Sequence, residues 1–121
     1  MYFTKDNVMK GNDGKIYILD FSVTNWYPRI QELAVIVANL LYDENSNLSL
    51  RDKTESVSEM YDKLNPLTLD EKQYLYAYAL AGITMEFMGS LQEKFIKGNT
   101  TEETEYWLNL GQIGLRKELT I

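Results

Sequence analysis

The chain has no cysteine and no histidine among its 121 residues. The first absence excludes disulfides and thiolate chemistry, and is compatible with a reducing compartment. The second removes the commonest general base, the Ser-His and Cys-His nucleophile pairs, and imidazole metal sites. Catalysis here would have to rest on carboxylates, amides, hydroxyls, lysines or a hard cation. Proline is scarce, at two residues. Positive charge is in deficit, with a net charge of −6, so a nucleic-acid partner is not expected. No apolar run is long enough for a bilayer: "LAVIVANLLY" (33–42) is the longest and Asn39 interrupts it. The first ten residues do not read as a signal peptide. A cytoplasmic protein without a membrane partner is the expectation.

What is present suits one globular domain. The hydrophobic fraction is 45% and the charged fraction 25%, ordinary for a folded chain. Residues 1–27 carry a β-hairpin: "NVMK" and "KIYILDF" are strand candidates, and "GNDG" (11–14) between them is dense in turn residues. Both faces of "KIYILDF" are apolar apart from Asp20, so this strand is expected to be covered on both sides.

Residues 28–121 read as helical. Pro28 opens "RIQELAVIVANLLYD", apolar on nearly all sides, and "DENSN" (43–47) is a polar loop. "LSLRDKTESVSEMYDKL" is amphipathic, its apolar members being Leu50, Val57, Met60, Tyr61 and Leu64. Pro66 stops that helix, and Thr68 with Glu71 forms a capping box for the next. The long helix from Leu69 ends at Gly98, a natural left-handed stop. Asn99 with Glu102, or Thr100 with Glu103, would cap the last helix. Met85 and Met88 read as core fillers. The fold class is therefore mainly α (α+β): an N-terminal β-hairpin followed by about four helices.

Two polar residues bracket the hairpin: Asn7 before its first strand and Asp20 at the end of its second. An Asn and an Asp at hairpin edges supply hard oxygens at a fixed separation, as a Mg²⁺–phosphate site needs. Taken singly, each is more ordinarily a turn former. In context, "DNVMKGNDGKIYILDFSVTNWYPRIQELA" resembles the C-terminal lobe of the aminoglycoside phosphotransferase and choline kinase-like superfamily. That family shows H-G-D-x-x-x-x-N, a hairpin, a strand ending in I-D-F, and then an acidic-Leu-Ala triplet opening a buried helix.

The resemblance implies that Asn7 and Asp20 are the Mg²⁺ ligands, and that Glu32 of "ELA" braces the catalytic loop. It implies ATP and Mg²⁺ as cofactors of a complete enzyme that phosphorylates a small-molecule alcohol, with neither bound tightly by these residues. The family's catalytic Asp stands five residues before the loop Asn, where this sequence has Tyr2. No Gly-rich phosphate loop or strand lysine is found either. The implied object is a C-terminal fragment cut within the catalytic loop and inactive alone, with Glu32 free to pair with Arg29 one turn away. Apolar surface left bare would drive homo-oligomerisation through the hairpin or an apolar helix face. The alternative is a small helical interaction module without catalytic activity.

Two further features have both a functional and a structural reading. Tyr74, Tyr76 and Tyr78 suggest an aromatic cage, but only Tyr74 and Tyr78 share a helical face, so core and interface packing is favoured. The run "EETE" (102–105) would attract a cation, and more simply complements a helix N-terminus. The sequence does not name an acceptor substrate.

Overall fold

The computed structural model describes residues 8–19, 26–41, 45 and 47–119. Strands β1 (Val8–Lys10) and β2 (Ile16–Ile18) form an antiparallel hairpin, with Val8 opposite Ile18, Met9 opposite Tyr17 and Lys10 opposite Ile16. Four helices follow: α1 (Arg29–Val35), α2 (Leu50–Leu64), α3 (Leu69–Leu91) and α4 (Glu102–Leu119). Helices α1 and α3 each continue into a wider π-helical turn, Ile36–Leu41 and Gln92–Ile96 respectively.

The hairpin is closed by its own turn chemistry. Gly14 takes φ +79°, a left-handed conformation that glycine adopts without strain. Asp13 accepts from the Lys15 N–H (3.0 Å) and from the Tyr17 hydroxyl (2.7 Å). Gly11 makes room for that cluster: a Cβ there would lie 2.6 Å from Asp13 Oδ1 and 2.7 Å from the Tyr17 ring. The Tyr17 hydroxyl, and after it the Lys15 N–H, hold the Asp13 carboxyl below its ordinary value.

Among the described residues, the expected double cover of the second strand is not found. Met9, Ile16, Tyr17, Ile18 and Leu19 are all exposed. The apolar faces of the helices turn toward one another instead, and leave the hairpin outside the core.

Helix α1 starts behind Pro28 and buries Ile30, Leu33 and Ala34, and then Val37 and Ala38 of its π-helical turn. That i, i+3, i+4, i+7, i+8 spacing is one helical stripe. In α2, Leu50, Thr54 and Val57 are buried, while Met60 and Leu64 point outward, against expectation. Its cap is a reciprocal box. Ser49 Oγ accepts from the Asp52 N–H (3.1 Å), and Asp52 Oδ2 accepts from the Ser49 N–H (2.9 Å).

The Thr68–Glu71 box opens α3 as expected. Leu75, Ala79 and Ile83 carry α3 into the core, and Gly98 at φ +70° ends its π-helical turn. Met85 and Met88 are exposed, so they do not fill the core. The cap of α4 is Thr101, whose Oγ1 accepts from the Thr104 N–H (3.4 Å), rather than Asn99 or Thr100. Asn99 Oδ1 instead receives the Thr101 N–H (3.0 Å) and shapes the connection. Helices α3 and α4 approach closely at Gly111, where a Cβ would lie 2.7 Å from Phe87 Cβ and 3.1 Å from Phe87 Cα.

The far end of α4 is tied across the molecule by Glu118. Its Oε1 accepts the Leu50 N–H (2.7 Å), one of the orphan donors of the first turn of α2, and its Oε2 accepts the Tyr76 hydroxyl (2.8 Å). Among the described residues, no helix is long and apolar enough to cross a membrane.

Candidate functional site

Of the residues singled out in the sequence, Tyr2, Asn7 and Asp20 lie outside the described residues, and Glu32 lies within them. Glu32 sits in the first turn of α1, on the helix that follows the hairpin. Its Oε2 is shut off from solvent. Leu33 and Ala34, the rest of the triplet, are core residues, so the backbone carrying Glu32 is fixed by packing.

Arg29 does not turn along its own helix to Glu32. Its guanidinium reaches α3, with Nε donating to Glu71 Oε1 and Nη2 to Glu71 Oε2, both at 2.7 Å. Nη1 donates to Asn65 Oδ1 (3.0 Å) and Nη2 to the Pro66 carbonyl (2.7 Å). A planar fork facing a carboxylate favours this bidentate geometry. The Arg29 contact, helped by the Thr68 N–H, pulls the Glu71 carboxyl down to about 2.

The aromatic trio separates as its helical phases require. Tyr74 and Tyr78 are exposed. Tyr76 points inward, beneath the Arg51 guanidinium at 4.0 Å from its ring centroid. A cation of the chain itself occupies that ring face, so the three tyrosines do not form a cage. Burial, and then Glu118, pushes the Tyr76 hydroxyl up.

The acidic run at the start of α4 contributes to a cleft of about 390 Å³ at the α3–α4 connection. Glu86, Ser90 and Glu93 line one side, and Thr101, Glu103 and Trp107 the other. Glu93 is engaged by Lys97 and by the Asn99 amide, and the Lys97 contact leads in holding its carboxyl down. Glu105 pairs with Lys94 at 2.7 Å. Glu102, Glu103 and Glu105 all fall in the first turn of α4, where the structural reading of "EETE" places them.

Sequence reading did not foresee this cleft. Its walls come from two helices folded back on each other, and the only local signal was Gly98, which marks the reversal. Among the described residues, no group of three or more acidic, histidine or cysteine side chains is placed to hold a metal ion. Comparison with protein-family models, with curated proteins and with solved structures finds no match.

Proposed function

We propose that these residues form the acceptor-side, mostly helical lobe of an ATP-dependent small-molecule phosphotransferase of the aminoglycoside and choline kinase-like kind, inactive by itself. The observation that carries the reading is Glu32. It sits in the first turn of α1, the helix that follows the hairpin in the sequence, and its Oε2 is withdrawn from water. Ionised carboxylates are held in such places by specific partners. Bracing the segment that bears the catalytic loop is the use that the resemblance gives to this position.

Asn7 and Asp20 would hold Mg²⁺ in the complete enzyme. A carboxamide and a carboxylate are hard oxygen donors, and the remaining positions of such a Mg²⁺ go to water and phosphate oxygens. The ion, when bound, neutralises charge on the ATP phosphates. In the position of the catalytic base stands Tyr2, and a phenol does not replace a carboxylate there. Losing such a base costs ~10²–10⁴-fold.

The test is paramagnetic. Mn²⁺ titrated into the ¹⁵N-labelled chain should broaden the amides around Asn7 and Asp20 first, and Asp20→Asn should abolish the effect. Uniform or absent broadening would overturn the assignment. ATP turnover with aminoglycoside or choline acceptors should be undetectable, and any acceptor-dependent ADP release would refute the inactivity.

One observation favours a second reading, a protein-interaction module: the hairpin shows apolar side chains on both faces. The same titration separates the two, since that reading requires no convergence of Asn7 and Asp20.

A further inference from the structure

Helix α3 is apolar all round, yet only part of its circumference is covered. Leu75, Ala79 and Ile83 face the core. On the opposite side Tyr74, Tyr78, Ala81, Met85 and Met88 are all exposed, the four large side chains at 53%, 37%, 73% and 63%. Their spacing is 4, 3, 4, 3. This alternation is the a/d seam of a coiled coil, in which a facing helix sets its side chains into the gaps.

The flanks of the seam, Ala77, Gly82, Thr84, Gly89 and Leu91, are small or uncharged. A Cβ added at Gly89 would meet nothing within 4 Å. Beside the seam runs a groove of about 250 Å³, with Gln31, Ala34 and Val35 on one wall and Tyr78, Gly82 and Met85 on the other.

We propose that a second copy of this chain docks on this face, the two α3 helices lying antiparallel. This goes beyond the phosphotransferase reading and does not depend on it. The absence of charge argues for a second copy of this chain as the occupant. The seam and its flanks are uncharged, so copies of an acidic chain meet there without like-charge contact. Charged groups at both ends of the helix are engaged within the chain: Glu71 with Arg29, Lys94 with Glu105 and Lys97 with Glu93. The helix dipoles therefore set the orientation: antiparallel pairing opposes them and parallel pairing aligns them.

The side chains also complement themselves. With the two-fold axis level with residue 83, Met88 lies opposite Tyr78, a favourable sulfur–aromatic contact. Met85 lies opposite the small Ala81. The four large side chains offer roughly 500 Å² per copy, taking an aromatic side chain at ~150–250 Å². Two copies bury on the order of 1,000 Å², which meets the threshold of a specific interface. Phe95 and Ile96, both exposed just beyond the seam, extend it.

Sedimentation equilibrium of the full chain at ~10–100 µM, where a modest interface of this area associates, should give twice the chain mass. Met85→Glu should weaken the dissociation constant ~100-fold or more, by burying unpaired charges at the seam. Its helical circular dichroism should stay unchanged, because Met85 touches solvent and not the core. Ile18→Glu on the hairpin should leave the dimer intact. A wild-type monomer, including one whose α3 is covered by a different protein, overturns the proposal. So does dissociation by Ile18→Glu with Met85→Glu dimeric.

Orientation is read from one spin label at Gln73→Cys in the otherwise cysteine-free chain. The antiparallel pair places the two labels about 30 Å apart, from twenty residues of helix rise. A separation near one helix diameter, ~10–12 Å, overturns the antiparallel arrangement.

Discussion

Arg29 and Glu71 stand 42 positions apart in sequence and meet through two parallel hydrogen bonds of 2.7 Å. The pair joins the first residue of α1 to the third residue of α3. The same guanidinium holds Asn65 and the Pro66 carbonyl, so one side chain fixes both helix starts and the turn that precedes α3. Glu71 Oε2 also receives the Thr68 N–H, so the capping box and the ion pair share an atom.

This sharing makes stability depend on pH in a stated direction. The Glu71 carboxyl titrates at about 2 in the folded chain, against an ordinary value of 4.5. The folded state therefore binds its proton less readily than the unfolded state does. The contribution of Glu71 is fully present above about 4.5, and is lost as the pH falls from there toward about 2. Urea midpoints of the wild type should drop across that window, and Glu71→Gln should flatten the drop while lowering the midpoint at neutral pH. Arg29→Lys should also lower the neutral midpoint, because an ammonium cannot make the parallel pair.

Gly111 predicts a contrast between two glycine substitutions. A methyl group at Gly111 meets Phe87 Cβ at 2.7 Å and its backbone at 3.1 Å, so α3 and α4 must separate. Gly111→Ala should destabilise by ~1–3 kcal/mol, as overpacking does. At Gly82 the added Cβ would find Ala38 Cβ at 3.7 Å, an ordinary contact. Gly82→Ala should stabilise by ~0.5–1 kcal/mol, through helix propensity. Thermal or urea unfolding of both variants checks the pair. Equal effects would mean that the α3–α4 contact gives way.

Local features of this fold were legible in the sequence, and long-range ones were not. The Thr68–Glu71 box, the Gly98 stop and the "GNDG" turn each rest on residues a few positions apart. The Ser49–Asp52 box was missed because Asp stands where the usual signature has Glu or Gln. The α4 cap is ambiguous within "NTT", where each of the three residues has a Glu or Thr three positions on. Met85 and Met88 differ from expectation because α3 is apolar on most sides, so periodicity does not tell which face the other helices cover. The partners of Arg29 and Glu118 lie dozens of residues away, and carry no sequence mark. Of the candidate metal site, only the brace Glu32 falls within the described residues.

Glu118 predicts a difference between two replacements. Leu50 is fully buried, and its N–H has Glu118 Oε1 as acceptor. Glu118→Ala removes that acceptor, leaving a buried N–H unsatisfied at a cost of ~1–3 kcal/mol, and also removes the partner of the half-buried Tyr76 hydroxyl. Glu118→Gln keeps a carbonyl for Leu50 and an amide for the Tyr76 oxygen, so most of the stability should remain. If both variants unfold at the same urea concentration, the Leu50 N–H has another acceptor.

The hairpin supplies the last prediction, and it runs against the composition of the strand. "IYI" is a sequence that ordinarily sits inside a protein, yet Ile16, Tyr17 and Ile18 are all exposed. If the helical core does not use them, replacing them should not weaken it. Ile16→Lys and Ile18→Lys should each leave the unfolding midpoint of the helices within ~0.5 kcal/mol of the wild type, the usual range for surface changes. Exposed β-branched residues on a bare edge also promote strand pairing between molecules. The double lysine variant should therefore remain soluble at concentrations where the wild type begins to scatter light. Loss of several kcal/mol in either single variant would show that the hairpin is packed against the helices in solution. The expectation of a strand covered on both sides would then return.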